Sequence, residues 1–109
     1  MHSAGLVRWW LVALATLSTA LLVACAGAPT QELSEARRAW QVAHNAGAEI
    51  IAARQMQRAQ DRIDNAERAI DADAYSHARQ EALAAKAEAL AAHGAVVVLR
   101  KRQWSSSGL

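Results

Sequence analysis

Apolar and polar positions divide the chain into a leader and three amphipathic stretches. From Trp9 to Leu22 the run is almost wholly apolar, interrupted only by Thr16, Ser18 and Thr19. After Pro29 the pattern changes to helical spacing. Leu33, Ala36, Trp40, Ala43 and Gly47 recur at intervals of 3 and 4, which places them on one helix face. Asn45-Ala46-Gly47 is a stop signal, because glycine accepts the left-handed backbone that ends helices. Thr30 is the predicted N-cap of this helix, with Glu32 favourable in its first turn.

The second stretch carries Ala52, Met56, Ala59, Ile63, Ala66 and Ile70 on one face, and Arg54, Arg58, Asp61, Asn65 and Arg68 on the other. Arg58 with Asp61 and Asp64 with Arg68 have the spacing at which helical side chains meet. Asp71-Ala72-Asp73 breaks the pattern, and Asp73 is the predicted N-cap of the third stretch. There Tyr75, Ala78, Ala82, Ala85, Ala89, Ala92, Val96 and Leu99 repeat, with Leu83, Leu90 and Val97 widening the stripe. A helix over Tyr75–Arg100 would be ~39 Å long. Gly94 and Val96-Val97-Val98 lower helix propensity in its last turns. The predicted fold is all-α: two to three alanine-rich amphipathic helices in a hairpin or small antiparallel bundle. Such seams also suit a second copy, so a homo-oligomer is an alternative use of them.

Composition agrees with this. Much of the 53% hydrophobic content is alanine, Phe is absent, and Trp9 and Trp10 take two of the four Trp into the leader. A domain this short buries a modest core. The net charge is +2, part of it from Arg8 in the leader, so the rest is close to neutral and lacks the concentrated basic face that nucleic acid requires.

The leader has the three regions of a secretory signal: basic Arg8, the apolar run, then small residues. It ends in Leu22-Val23-Ala24-Cys25, and Cys25 is the one cysteine of the chain. A thiolate is the strong soft nucleophile that can take up a diacylglyceryl group as a thioether. Two other readings compete. The apolar run approaches the length of an uncleaved membrane anchor, and an ordinary signal peptidase could cut near Ala24, Ala26 or Ala28 with Cys25 incidental. A Leu-Val-Ala-Cys sequence closing an apolar run so near the N-terminus favours lipidation.

That motif resembles the lipobox of bacterial lipoproteins. The resemblance implies cleavage between Ala24 and Cys25, a diacylglyceryl and an N-acyl (palmitate-type) lipid on Cys25, and no other cofactor. Ala26, not Asp, follows the cysteine; in Gram-negative lipoproteins this favours the outer membrane, with the domain facing the periplasm. Pro29, Leu33-Ser34-Glu35-Ala36, Ala46-Gly47-Ala48, Met56-Gln57-Arg58-Ala59, Ile63 and Asp73-Ala74-Tyr75-Ser76-His77-Ala78 extend the likeness. Across roughly residues 25–95 the chain resembles small bacterial lipoproteins built on an alanine-rich helical domain of unknown function. In some of them that domain precedes an OmpA-like peptidoglycan-binding domain. The chain to Leu109 leaves no room for one, so wall binding is not expected to carry over.

The expected organisation is a signal peptide over 1–24, the lipidated cysteine and tether over 25–29, a helical domain over 30–102 and a flexible tail over 103–109. Four or five tether residues reach ~15 Å, which keeps the domain beside the bilayer.

Candidate chemistry is sparse. His2 lies in the leader, and His44, His77 and His93 lack a second histidine or cysteine at metal-ligand spacing, so no metal site is expected. Asp71 and Asp73 resemble the start of a calcium loop without its glycine and terminal glutamate. No phosphate loop, nucleophile elbow or paired carboxylates appear, and no enzyme is expected. Arg100, Lys101 and Arg102 with Trp104 form the one candidate surface contact. They can touch anionic head groups, peptidoglycan or a partner, or complement the dipole of a helix C-terminus ahead of a frayed Ser105-Ser106-Ser107-Gly108 tail. The expected function is therefore a non-enzymatic interaction or structural module of the envelope, with the membrane and an envelope protein as partners. The alternative is an envelope link to peptidoglycan or anionic lipid through the basic cluster.

Overall fold

The computed structural model of the chain describes residues 7–12 and 27–108. Leu22, Val23, Ala24 and Cys25 lie outside the described residues, and residues 7–12 are helical and exposed. From Thr30 onward the protein is all-α, with no strand among the described residues. Four helices follow in order: α1 (Thr30–Asn45), α2 (Ala48–Ile51), α3 (Ala53–Asp71) and α4 (Tyr75–Ser107).

Contacts between helices set their directions. Glu32 meets Arg79, Glu35 meets Lys86, and Ala46 meets Arg100, so α1 and α4 run in parallel. Arg58 meets Glu88 and Arg62 meets Glu81, so α3 is antiparallel to α4. The result is an up-down-up bundle of three long helices, with α2 closing the upper turn. Because α1 ends level with Arg100, the final turns of α4 stand clear of the bundle. Residues 101–107, from the second residue of the basic cluster into the expected tail, are helical and exposed. Residues 103–107, expected as a tail, thus continue the helix.

Alanine sets the packing. Ala78, Ala82, Ala85, Ala89, Ala92 and Val96 are buried along α4, at the predicted 3-4 spacing. Ala36 and Ala43 on α1, and Ala59, Ala66 and Ala69 on α3, face them. Leu33, Met56, Ile63 and Val96 are the larger members of the buried apolar set, and Trp40 packs against both of its clusters. Seams of this kind let helix axes approach toward the short end of the ordinary range, about 8 Å. Within the described residues, α4 is long and apolar enough to cross a membrane by length and composition. Here its alanine side is the core of the bundle.

The turns depart from expectation in two places. Thr30 is the first helical residue of α1, not its cap; buried Pro29 precedes it, and the Pro29 carbonyl accepts from the Leu33 N–H at 3.1 Å. Asp73 does not cap α4, which begins at Tyr75 without a side-chain cap. It ends α3 instead: with φ of 58° it takes the left-handed position usually held by glycine. The Asp73 N–H donates to the Ile70 carbonyl at 3.0 Å and the Ala74 N–H to that of Ala69 at 2.8 Å. That pair of bonds satisfies two carbonyls at the end of α3. Asp tolerates this conformation better than most side chains. Gly47, with φ of 87°, ends α1 as predicted.

Two substitutions check this packing by urea denaturation of the folded protein. Ala85 is fully buried, so Ala85→Leu should destabilise by about 2–3 kcal/mol through overpacking. Gly94 is an exposed helical residue where an added Cβ meets nothing within 4 Å, so Gly94→Ala should stabilise by about 0.8 kcal/mol.

Candidate functional site

The polar side chains of the bundle hold its helices together. Arg37 pairs with Glu67 between α1 and α3. Across α3 and α4, Arg58 Nε lies 3.3 Å from Glu88 and Arg62 Nη1 lies 3.3 Å from Glu81. Across α4 and α1, Arg79 Nε lies 3.1 Å from Glu32 and Lys86 Nζ 3.0 Å from Glu35. Neither predicted pair within α3 forms. Arg58 reaches over the seam to Glu88, while Asp61 and Asp64 accept from Gln57 and Gln60, each at 3.0 Å. Arg68 donates to Asn65 at 3.2 Å. The physical reason is the alanine: helices this close put a carboxylate on the next helix within reach of a long side chain. Each exposed pair contributes at most about 1 kcal/mol, so they set register more than they add stability.

The histidines lie apart. His44 Nδ1 sits 3.1 Å from Glu49 and stacks on Trp40, with ring centroids 5.0 Å apart. His77 lies 4.0 Å from Glu81. His93 lines a groove between α1 and α4. Among the described residues, no three His, Cys, Asp or Glu side chains are grouped to hold a metal ion.

The predicted basic cluster is divided by the fold. Arg100 Nη2 donates to the Ala46 carbonyl at 3.1 Å, closing the C-terminal end of α1, where a cation is favoured by the helix dipole. Lys101, Arg102 and Trp104 instead stand on the projecting end of α4, and Trp104 is 80% exposed. Lys101 and Arg102, with Val98, Ser105 and Ser106, border a shallow surface depression.

A larger feature begins there and is not a site that the sequence singled out. Leu83, Leu90 and Val97, expected to widen the core stripe, are exposed by 50, 53 and 36%. With Trp104 they recur every seven residues and so share one outer side of α4. Exposed Ala87 and Gly94 lie between them on the same side. Beside Leu90, a groove of about 250 Å³ is walled by Val42 and Ala39 of α1 and edged by Arg38, Lys86 and His93. The groove's carboxylate, Glu35, is held below the ordinary carboxylate range by hydrogen bonds from Lys86 and Gln31 and by the Lys86 charge. Tyr75 is displaced upward by its hydrogen bond to Asp73 and that carboxylate's charge. The arrangement, apolar side chains edged by cations, can bind a surface that is both apolar and anionic.

Comparison with known proteins gives no match to a family model, to a curated protein or to a solved structure.

Two measurements follow. Because the folded-state pKa of Glu35 is depressed, its contribution is complete above its unfolded-state pKa and is lost as pH falls through the depressed value. The stability difference between wild type and Glu35→Gln in urea should therefore shrink on acidification from neutral pH. Arg100→Ala should lower stability by about 0.5–1 kcal/mol, whereas Lys101→Ala and Arg102→Ala should each stay within ~0.5 kcal/mol of wild type.

Proposed function

We propose that the protein is a lipid-anchored envelope protein. In this reading Cys25 carries diacylglyceryl and N-acyl chains, the domain faces the periplasm from the outer membrane, and the bundle is a non-enzymatic interaction or structural module. The observation that carries the proposal is Leu22-Val23-Ala24-Cys25 closing the apolar leader, with the first helix of the bundle starting at Thr30. That spacing holds the domain within ~15 Å of the lipid. A long apolar α4 is in keeping with membrane association. The non-enzymatic reading is supported by the uses found for the polar groups: all six glutamates pair with Arg, Lys or His, five of them across long helices. Kinship with the alanine-rich lipoproteins and an envelope protein as partner belong to the same proposal, with a homo-oligomer as an alternative use of the 3-4 alanine seams.

A second reading is favoured by one observation, the projection of Lys101, Arg102 and Trp104 beyond the bundle. In it the protein links its membrane to peptidoglycan or to anionic lipid through these side chains.

Metabolic labelling with palmitate tests the first reading. Wild type expressed in a Gram-negative host should take up label and sediment with membranes, and Cys25→Ala should take up none. Unlabelled wild-type protein contradicts the anchor.

A further inference from the structure

We infer that the outer face shared by α1 and α4 lies against the anionic surface of the bilayer, so that the bundle rests on its side. The inference rests on the membrane anchor proposed above and adds the orientation of the bundle and the apolar stripe of α4 as its contact surface.

Three observations converge. The first is the stripe: Leu83, Leu90, Val97 and Trp104 succeed one another along α4, and Val42 adds to it from α1. Between the first and last of these residues α4 rises ~32 Å. A patch that long on a small domain marks a surface to be covered. The second is charge. Arg38 at the edge of the groove and Lys101 beside Trp104 are exposed, and neither forms an ion pair with a described residue. Lys86 is matched by Glu35, which leaves this face with cations in excess. Apolar side chains, flanking cations and an exposed Trp are the composition of helices that lie in the head-group region.

The third is geometry. The tether joins α1 at Thr30, level with Arg79 of α4, and Trp104 stands ~38 Å further along the same helix. A bundle standing upright on its tether would hold Trp104 far from the lipid and leave the whole stripe in water. Lying down brings the stripe, Arg38 and Lys101 to the head groups together, and the short tether leaves α1 at the surface in either posture. A second copy is a poorer cover. Two such faces would set Arg38, Lys86 and Lys101 against the same cations, with no free carboxylate in the groove to meet them.

Trp104 fluorescence in vesicles tests this. Protein purified from membranes is reconstituted into phosphatidylcholine vesicles with and without phosphatidylglycerol, with bromine on the acyl chains as quencher. The signal read is the part of the emission that Trp104→Phe removes, which sets aside the other tryptophans. In phosphatidylglycerol vesicles it should be quenched several-fold more than in phosphatidylcholine alone, and high salt should reverse the difference. Leu90→Asp combined with Lys101→Glu changes two exposed residues; it should keep the helical circular dichroism and lose the quenching. Trp104 emission equally unquenched in both vesicles overturns the inference, whether the face is upright in water, paired with a second copy or covered by a protein. The two proposals fail separately: palmitate labelling reads Cys25, and Trp104 quenching reads the face however the chain is retained.

Discussion

Close approach of helices along alanine seams is the constraint on which the other features depend. With alanine at Ala78, Ala82, Ala85, Ala89 and Ala92, α4 has no large side chain of its own in the core until Val96. The helices can therefore come near one another, and each buried position removes little apolar surface from water. At about 25 cal/mol per Å², a core of methyl groups stabilises far less than one of leucines. High helix propensity compensates in part, since alanine favours each helix before any of them packs. Leu33, Met56, Ile63 and Trp40 supply what bulk there is. Trp40 also donates from Nε1 to the Met56 carbonyl at 3.3 Å, fastening α1 to the start of α3.

The same closeness explains what was legible in the sequence. The buried face of α4 could be read from Ala78 to Val96, because small apolar side chains at 3-4 spacing mark a packed seam. Leu99, the next residue of the predicted stripe, is exposed because α1 ends level with Arg100, and Tyr75 is only half-buried. The end of α1 at Gly47 could be read as well. The ion pairs could not. Spacing within a single helix predicts Arg58 with Asp61, but the preferred carboxylate, Glu88, lies across a gap whose width depends on how alanine packs. Asp73 shows a second limit: the same residue types serve at the start of one helix and the end of another, and backbone hydrogen bonds to Ile70 and Ala69 decide between them. The outer stripe was hidden for a related reason. Leu83, Leu90 and Val97 have the same helical period as the core, and only the position of α1 shows that they lie outside it.

Division of labour among the charged residues follows from the fold. Glutamates serve as partners for arginine and lysine on neighbouring helices, and Arg100 closes α1. Among the described residues of the bundle, Arg38, Arg54, Lys101 and Arg102 are the cations with neither an ion pair nor a side-chain hydrogen bond, and two of them, Arg38 and Lys101, flank the apolar stripe. A lone cysteine at the end of an apolar leader and a cationic apolar face on the domain are independent features, one of sequence and one of packing. Both are suited to the same solvent boundary.

Native-state hydrogen exchange along α4 tests the seam most directly. If close packing on α1 and α3 is what holds this helix, amides from Ala78 to Val96 should open together with one common free energy of exchange. Those from Lys101 to Ser107, which have no helix beside them, should exchange with little protection. Uniform weak protection over the whole of α4, or protection in Ala78 to Val96 that survives unfolding of α1 and α3, would contradict the account.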